Sequence, residues 1–305
     1  MSAESSTAAS VRQRLLNRAR AEGGDFLALL TRYVLERVLY RLGQSDYRER
    51  FVVKGAMLFV LWEGDLHRTT RDLNLLGSGP SAIADVERAV REVLAVEVED
   101  DGVTFDPGSV RGDLIREEQE YEGVRVSAEA RVGNARVRLK IDIGFGDAVT
   151  PEVEEATFPT LLDAPPPVLR VYPKATVVAE KLQAMVALGI LNSRMKDFYD
   201  VWHLAQHDAF DGPTLAQAVR ATFERRGTPI PDAAPLALTS EFATDTGKRT
   251  LWRAFVRRGR LSDEAELAEV VDVLRAFLLP VLDAARGEAA LDARWQSGGP
   301  WLEEG

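Results

Sequence analysis

Phe26, Leu30, Val34, Val38 and Leu42 recur at every fourth position and make one apolar stripe. That period predicts a helix over 10–42 with its stripe turned to a core. Residues 1–8 are expected as a frayed tail. Phe51-Val-Val predicts a short buried strand, and Gly55 opens a helix that runs to Trp62. From Arg71 to Leu76 polar and apolar residues alternate, the mark of a strand. Pro80 is expected as the first residue of a helix ending near Ala95. The clearest hairpin follows. Val124, Val126, Ala128, Ala130 and Val132 alternate with polar residues, Gly133-Asn134 supplies the turn, and Val137, Leu139, Ile141 and Ile143 alternate on the return. Arg136, Arg138, Lys140 and Asp142 therefore share the other face of the return strand.

Pro159, Pro165, Pro166, Pro167 and Pro173 punctuate 157–173. Proline fixes φ and lacks an N–H, so this stretch is expected outside any helix or central strand, as a linker. Helical patterns follow over 175–190, 195–207, 213–225, 248–258 and 263–286, with a loop around 229–235. The expected organisation is N-terminal helices over 1–48, a mixed α/β core over 49–156, the linker over 157–173 and a helical domain over 174–305 that completes the active site. No internal repeat is visible.

Composition narrows the chemistry. The chain has 305 residues, 46% hydrophobic and 28% charged, typical of a globular protein. It has no Cys, which excludes disulfides, thiol catalysis and Cys-based zinc sites, and its three His (His67, His203, His207) make a His-rich metal site a poor reading. The polar N-terminus lacks a secretion core, and no apolar run approaches the ~20 residues of a membrane helix, so a cytoplasmic protein with no membrane partner is expected. A net charge of −10 argues against indiscriminate coating of nucleic acid, while leaving room for a local basic groove.

Asp72 and Asn74 stand two apart on a predicted strand and project from one face. Oxygen-bearing side chains side by side on a rigid strand are a common grip for a divalent cation in phosphoryl transfer. Asp142, on the polar face of a second strand, becomes a third ligand if the strands are neighbours. Acids at strand edges are common, so spacing alone leaves an ordinary solvated edge open. Lys54-Gly55-Ala56 joins strand to helix, where N–H groups and a lysine can meet phosphate oxygens, or where a turn simply needs Gly. Lys181 lies beside the apolar Val178, Leu182 and Met185; it either reaches a triphosphate or snorkels to water. Asp197 and Asp200 lie one turn apart near a helix start, where acids also complement the helix dipole.

Taken together, Phe51-Val-Val-Lys-Gly-Ala, His67-Arg-Thr-Thr-Arg-Asp-Leu-Asn-Leu-Leu-Gly, Lys140-Ile-Asp-Ile-Gly-Phe-Gly-Asp, and Tyr172-Pro-Lys-Ala through Lys181 to Asn192-Ser-Arg-Met-Lys-Asp-Phe-Tyr-Asp give the chain its resemblance. It resembles the AbiEii/AbiGii toxin family of nucleotidyltransferases over about Arg12 to Ala205. The resemblance implies a DNA-polymerase-β-like nucleotidyltransferase fold, an α/β domain followed by a helical C-terminal domain. It also implies Mg²⁺ (or Mn²⁺) as cofactor, NTP as donor, RNA (above all the 3′ end of tRNA) as acceptor, and a cognate antitoxin as partner. By the same likeness Asp72 is the first metal ligand, with Asn74 and Asp142 completing the set. Lys181 meets the nucleotide phosphates, joined in nucleotide binding by Lys54, Gly55, Arg194 and Lys196. Asp197 is the acid of the last motif, orienting Lys181 or helping to activate the acceptor.

One position departs from the family pattern. Asp-x-Asp is replaced by Asp72-Leu73-Asn74, which offers a neutral carbonyl oxygen in place of a carboxylate. Attenuation, inactivation, or sufficiency of Asn are all open from sequence. A silent nucleotide- or antitoxin-binding relative, and a transferase or kinase acting on a protein hydroxyl, remain the competing readings. Further on, Lys248 to Arg260 contains no acid; on a helix Arg249, Arg253 and Arg257 align, as an RNA-backbone stripe or a solvated face.

Overall fold

The apolar stripe near the N-terminus is carried by two helices rather than one. The computed structural model describes residues 6–64, 68, 70–116, 122–259, 261 and 265–303. In it α1 spans Ser6–Glu22 and α2 spans Phe26–Gly43. The break falls at Gly23, whose φ of 64° suits a residue without Cβ. Asp25 then caps α2, its carboxylate accepting from the Leu27 N–H at 2.9 Å. Helix begins at Ser6, inside the stretch expected to fray; the preceding residues of that stretch lie outside the described ones.

One compact unit runs to Gly146 and resumes over Glu154–Tyr172. Its strands are β1 (Phe51–Lys54), β2 (Leu73–Gly77), β3 (Val103–Arg116), β4 (Glu122–Val132), β5 (Ala135–Phe145), β6 (Glu154–Thr157) and β7 (Val168–Val171). They form one seven-stranded mixed sheet in the order β3-β4-β5-β2-β1-β7-β6. The β2–β5 and β1–β7 pairs are parallel and the remaining pairs antiparallel. A short helix, α3 (Met57–Glu63), follows β1, and α4 (Ile83–Leu94) follows β2. Alternation does what the sequence promises. Leu73, Leu75, Val124, Val126, Leu139, Ile141 and Ile143 are buried on the face that α2 and α4 cover. Each such side chain contributes about 1.5–3 kcal/mol on burial.

Three expectations are corrected here. Pro80 does not start α4; Ala82 is its N-cap, and the Pro80 carbonyl instead accepts from Arg50, tying the loop back towards β1. β3 has no counterpart among the predicted elements, because Pro107-Gly108 breaks its alternation. The register against β4 shifts between Asp106 and Arg111 there, and the Asp106 carboxylate accepts from the Gly108 N–H at 3.0 Å. The stretch 157–173 does enter the sheet: β7, free of proline, lies between β1 and β6. The proline-bearing part is fastened to α2. Glu36 accepts from the Leu161 N–H at 2.8 Å, and Arg37 donates to the Pro165 carbonyl at 3.1 Å and to Glu36 at 2.7 Å. Burial raises the Glu36 carboxyl above its usual range, against the lowering charge of Arg37.

The second unit comprises Asp147–Val153 and the chain from Pro173 onward. Its helices are α5 (Lys174–Leu188), α6 (Met195–His207), α7 (Gly212–Arg225), α8 (Ser240–Thr244), α9 (Thr246–Gly259) and α10 (Leu267–Arg286). The expected last helix began at 263; α10 begins at Leu267, where Glu266 and Glu269 form a capping box, and 262–264 lie outside the described residues. This unit is not purely helical. β8 (Phe210–Asp211), β9 (Ala293–Trp295) and β10 (Trp301–Glu303) make a three-stranded sheet. Trp295 and Trp301 flank Phe277 of α10 at 4.9 and 5.8 Å between ring centroids, which supplies this small sheet with its core. Among the described residues, no helix is long and apolar enough to cross a membrane.

Candidate active site

Strand register in the first unit lines up the predicted residues. Lys54 pairs with Asn74, Asn74 with Asp142, and Asp142 with Arg125, so a single row crosses β1, β2, β5 and β4. Cross-strand partners share a face, and this face is the one that α2 and α4 leave uncovered. Asp72 immediately precedes β2, two residues before Asn74; both are half-buried, while Leu73 and Leu75 between and beyond them are buried. The adjacency of β2 and β5 on which a third ligand depended is therefore present.

The donor set can be tested on its oxygens. Asp72 Oδ1 is buried with no hydrogen-bond partner among the described residues. A buried carboxylate oxygen left in that state is costly unless something else meets it, and a hard cation is a natural candidate. Asn74 adds an amide next to it. Asp142, in contrast, is held by Arg125: Nε and Nη2 donate to its two oxygens, each at 2.7 Å. Among the described residues no group of three His, Cys, Asp or Glu side chains is placed to hold a metal ion. The oxygens present suit Mg²⁺ or Mn²⁺ in type, with Asn74 supplying no charge.

Gly55 has a specific reason to be glycine. Its φ is +76°, and a Cβ there would stand 2.9 Å from Asn74 Nδ2. Its observed service is to let the Asn74 side chain lie against the β1–α3 turn. The helix that follows has 7 residues, Met57–Glu63, and begins two residues after Gly55. Lys54 Nζ sits 5.3 Å from the centre of the Tyr172 ring, a cation–π contact at the end of β7.

In the second unit Lys181 does not snorkel. Its Nζ donates to Asp197 Oδ1 at 2.7 Å and lies 2.8 Å from Asp200 Oδ2, and both carboxylates are buried. Arg194 Nε approaches Asp197 Oδ2 at 2.7 Å, at an angle that makes an ion pair without a hydrogen bond. Burial pushes the Asp197 carboxyl up, but the charges of Lys181, Arg194 and Lys196 outweigh it and hold it below the usual carboxylate range. Lys196 itself is exposed. The i, i+3 spacing of Asp197 and Asp200 on α6 puts both on one face, where together they hold the lysine.

Two participants escaped the sequence reading. Arg125 was legible by counting back from the Gly133-Asn134 turn, since Val132 pairs with Ala135 and the register runs unbroken to Arg125 and Asp142. Tyr172 gave no such signal, because β7 was hidden among prolines. His67 and Thr69 of the recognised motif lie outside the described residues. On α9, Arg249, Arg253 and Arg257 are exposed, and Arg253 reaches Glu266 at 3.1 Å. Lys248 is buried and donates to the Asn192 carbonyl at 2.8 Å; Arg260 lies outside the described residues.

A family model described as nucleotidyl transferase AbiEii toxin, Type IV TA system, matches residues 37–277. The chain belongs to the AbiEii family. Membership makes this AbiEii protein a nucleotidyltransferase toxin and points to an antitoxin as its partner. Among solved structures it is similar to JHP933 from Helicobacter pylori, with a TM-score of 0.48 and 14% identity over 86% of this chain and 94% of that one. A second H. pylori protein, described as a candidate nucleotidyltransferase, gives a TM-score of 0.48 and 16% identity over 86% of this chain and 97% of that one. No curated protein matches this chain.

Proposed function

We propose that this AbiEii protein transfers a nucleotide from NTP to the 3′ end of an RNA, with tRNA as the acceptor and a block to translation as the result, on a DNA-polymerase-β-like scaffold with a helical C-terminal domain. One observation carries the reading. The registered row Lys54–Asn74–Asp142 stands next to Asp72, whose buried Oδ1 has no hydrogen-bond partner among the described residues. In the reaction the acceptor hydroxyl gives up its proton to water, its oxygen bonds to the α-phosphorus, the bond from that phosphorus to the bridging oxygen breaks, and pyrophosphate leaves. Asp72, Asn74 and Asp142 would hold Mg²⁺ or Mn²⁺, which supplies neutralisation of phosphate charge and a lowered pKa for the attacking hydroxyl. Lys54 would bring positive charge to the triphosphate from the row itself, and Lys181, with Arg194 and Lys196, keeps the nucleotide-binding role that the family resemblance implies. Asp197 and Asp200 act as positioning residues that fix the Lys181 ammonium; their two ion pairs favour that role over activation of the acceptor.

The test is direct. The full chain, mixed tRNA, Mg²⁺ and each labelled NTP in turn are incubated, and the labelled species is identified. Label at RNA 3′ ends, lost on adding a chelator, is expected. Label on protein alone, or none with any NTP, overturns the reading. The bidentate Arg125–Asp142 pair favours one alternative, a silent relative that holds nucleotide or antitoxin, because it neutralises one of the two carboxylates. That alternative predicts nucleotide binding with no transfer.

A further inference from the structure

β5 carries Arg136, Arg138 and Lys140 at alternate positions, so all three project from the face that bears Asp142, and all are exposed. On β4 the same face presents Arg125, Ser127, Glu129 and Arg131. The register sets Arg131 directly opposite Arg136, two guanidinium groups facing each other across paired strands. Like charges in that arrangement oppose the pairing. The fold does little to relieve them. Arg138 is opposite Glu129, yet no ion pair joins the two. Among the described residues, the side chains of Arg131, Arg136, Arg138 and Lys140 make no hydrogen bond or ion pair.

The spacing says what kind of anion would match. Alternate residues on a strand are about 6.8 Å apart, so the line from Arg136 to Asp142 extends about 20 Å on a rigid support. An evenly spaced row of guanidinium and ammonium groups suits an evenly spaced row of phosphates, with Arg able to engage two oxygens at once. An acidic protein fits less well, because protein interfaces are built around an apolar centre and the exposed positions here are Arg, Lys, Glu, Ser and Asp. No aromatic side chain stands on this face of β4 or β5, so base stacking contributes nothing and recognition is of the backbone.

We propose that this face of β4 and β5 seats the backbone of a single RNA strand, running from the β4–β5 turn towards the Asn74–Asp142 row. The binding stands on the cation line alone. Only the assignment of the strand's 3′ end to the Asp142 end rests on the transfer reaction proposed above.

The experiment uses the full chain and a 5′-labelled RNA hairpin with a single-stranded 3′ tail, with binding followed by anisotropy between about 50 and 200 mM salt. Arg136→Glu/Arg138→Glu is compared with wild type and with Arg275→Glu, a single charge reversal at an exposed residue of α10. The double variant is expected to bind at least ~10-fold more weakly. Its slope of log K against log salt should be shallower by about 1.4, or about 0.7 for each lost single-strand phosphate contact. Arg275→Glu should bind as wild type. Folding is read in parallel from the melting temperature: Arg136→Glu places an acid opposite Arg131, whereas Arg138→Glu places one opposite Glu129, so the two changes offset and the melting temperature should hold; Arg136→Gln/Arg138→Gln, which sets no acid opposite Glu129, should weaken binding in the same direction by less. Unchanged affinity and slope in the folded double variant overturn the proposal. So does an equal loss in Arg275→Glu, and so does retained RNA binding with loss of a bound antitoxin, which would make this a protein-binding face. If wild type labels RNA while the double variant binds it normally, the cation line falls and the transfer reading stands. If the double variant loses RNA but wild type transfers nothing, the reverse holds.

Discussion

Asn74 is where the proposed chemistry of this AbiEii protein is most directly tested. It sits between Lys54 and Asp142 in the row, and Asp142 is already satisfied by Arg125. Asn74→Asp would place two carboxylates on paired neighbouring positions, at a cost of about 0.5–1 kcal/mol without a cation between them. The expected outcome is a melting temperature lowered in chelator and restored by Mg²⁺, together with nucleotide transfer raised about tenfold; equal transfer by both forms in a labelled-NTP assay would show that Asn suffices. Asp197 gives a second prediction. Its carboxyl is held below the usual range, so its stabilisation is fully present above the unfolded-state pKa and is lost as pH falls through the lower folded value. Asp197→Asn should cost about 3 kcal/mol at neutral pH, since Lys181 keeps Asp200 but Arg194 loses its buried acid, and it should flatten the acid limb of a melting-temperature–pH curve.

At the scale of elements, the proline-bearing stretch is fixed by α2 rather than free. Arg37, fully buried, serves both Glu36 and the Pro165 carbonyl. Arg37→Met should destabilise by about 3–5 kcal/mol, because it leaves the Glu36 charge buried and unmatched; denaturant unfolding measures it. The same region shows why the fold was only partly legible. The hairpin was readable because a period of two and a Gly-Asn turn agree, and that reading carried Asp142 to its place and would have carried Arg125. β7 was not readable: four apolar and basic residues between prolines have no period of their own, and only pairing with β1 and β6 makes them a strand. β3 was lost to a bulge, and the long first helix to a glycine pair whose effect depends on a positive φ. On the site side, residue type placed Asp72, Asn74 and Lys181 among the candidates. What Lys181 holds could not be read, since two acids near a helix start look the same whether they face a dipole or a lysine.

At the scale of the whole molecule, the units are not consecutive in sequence. Asp147–Val153 belongs with the chain beyond Pro173, although Glu154–Tyr172 returns to the first unit. The excursion is held by specific bonds. Thr176 donates to the Thr150 carbonyl at 2.7 Å, and Arg226 donates to Asp147 at 2.9 Å. Asp147→Ala should therefore weaken the second unit by about 2–3 kcal/mol, as for a buried charge-assisted hydrogen bond, visible as faster amide exchange in α5 and α7. A fragment starting at residue 173 lacks both bonds and is expected to melt below the temperature of the same helices in the full chain.

The position of β7 also sets a timetable for synthesis. β1 meets β2 almost at once, but its opposite edge waits for residues 168–171 to leave the ribosome. At about 5–20 residues per second that interval lasts roughly 5 to 20 s. Throughout it the nascent chain exposes an unprotected strand edge made of Phe51, Val52 and Val53, an adhesive template for any neighbouring chain.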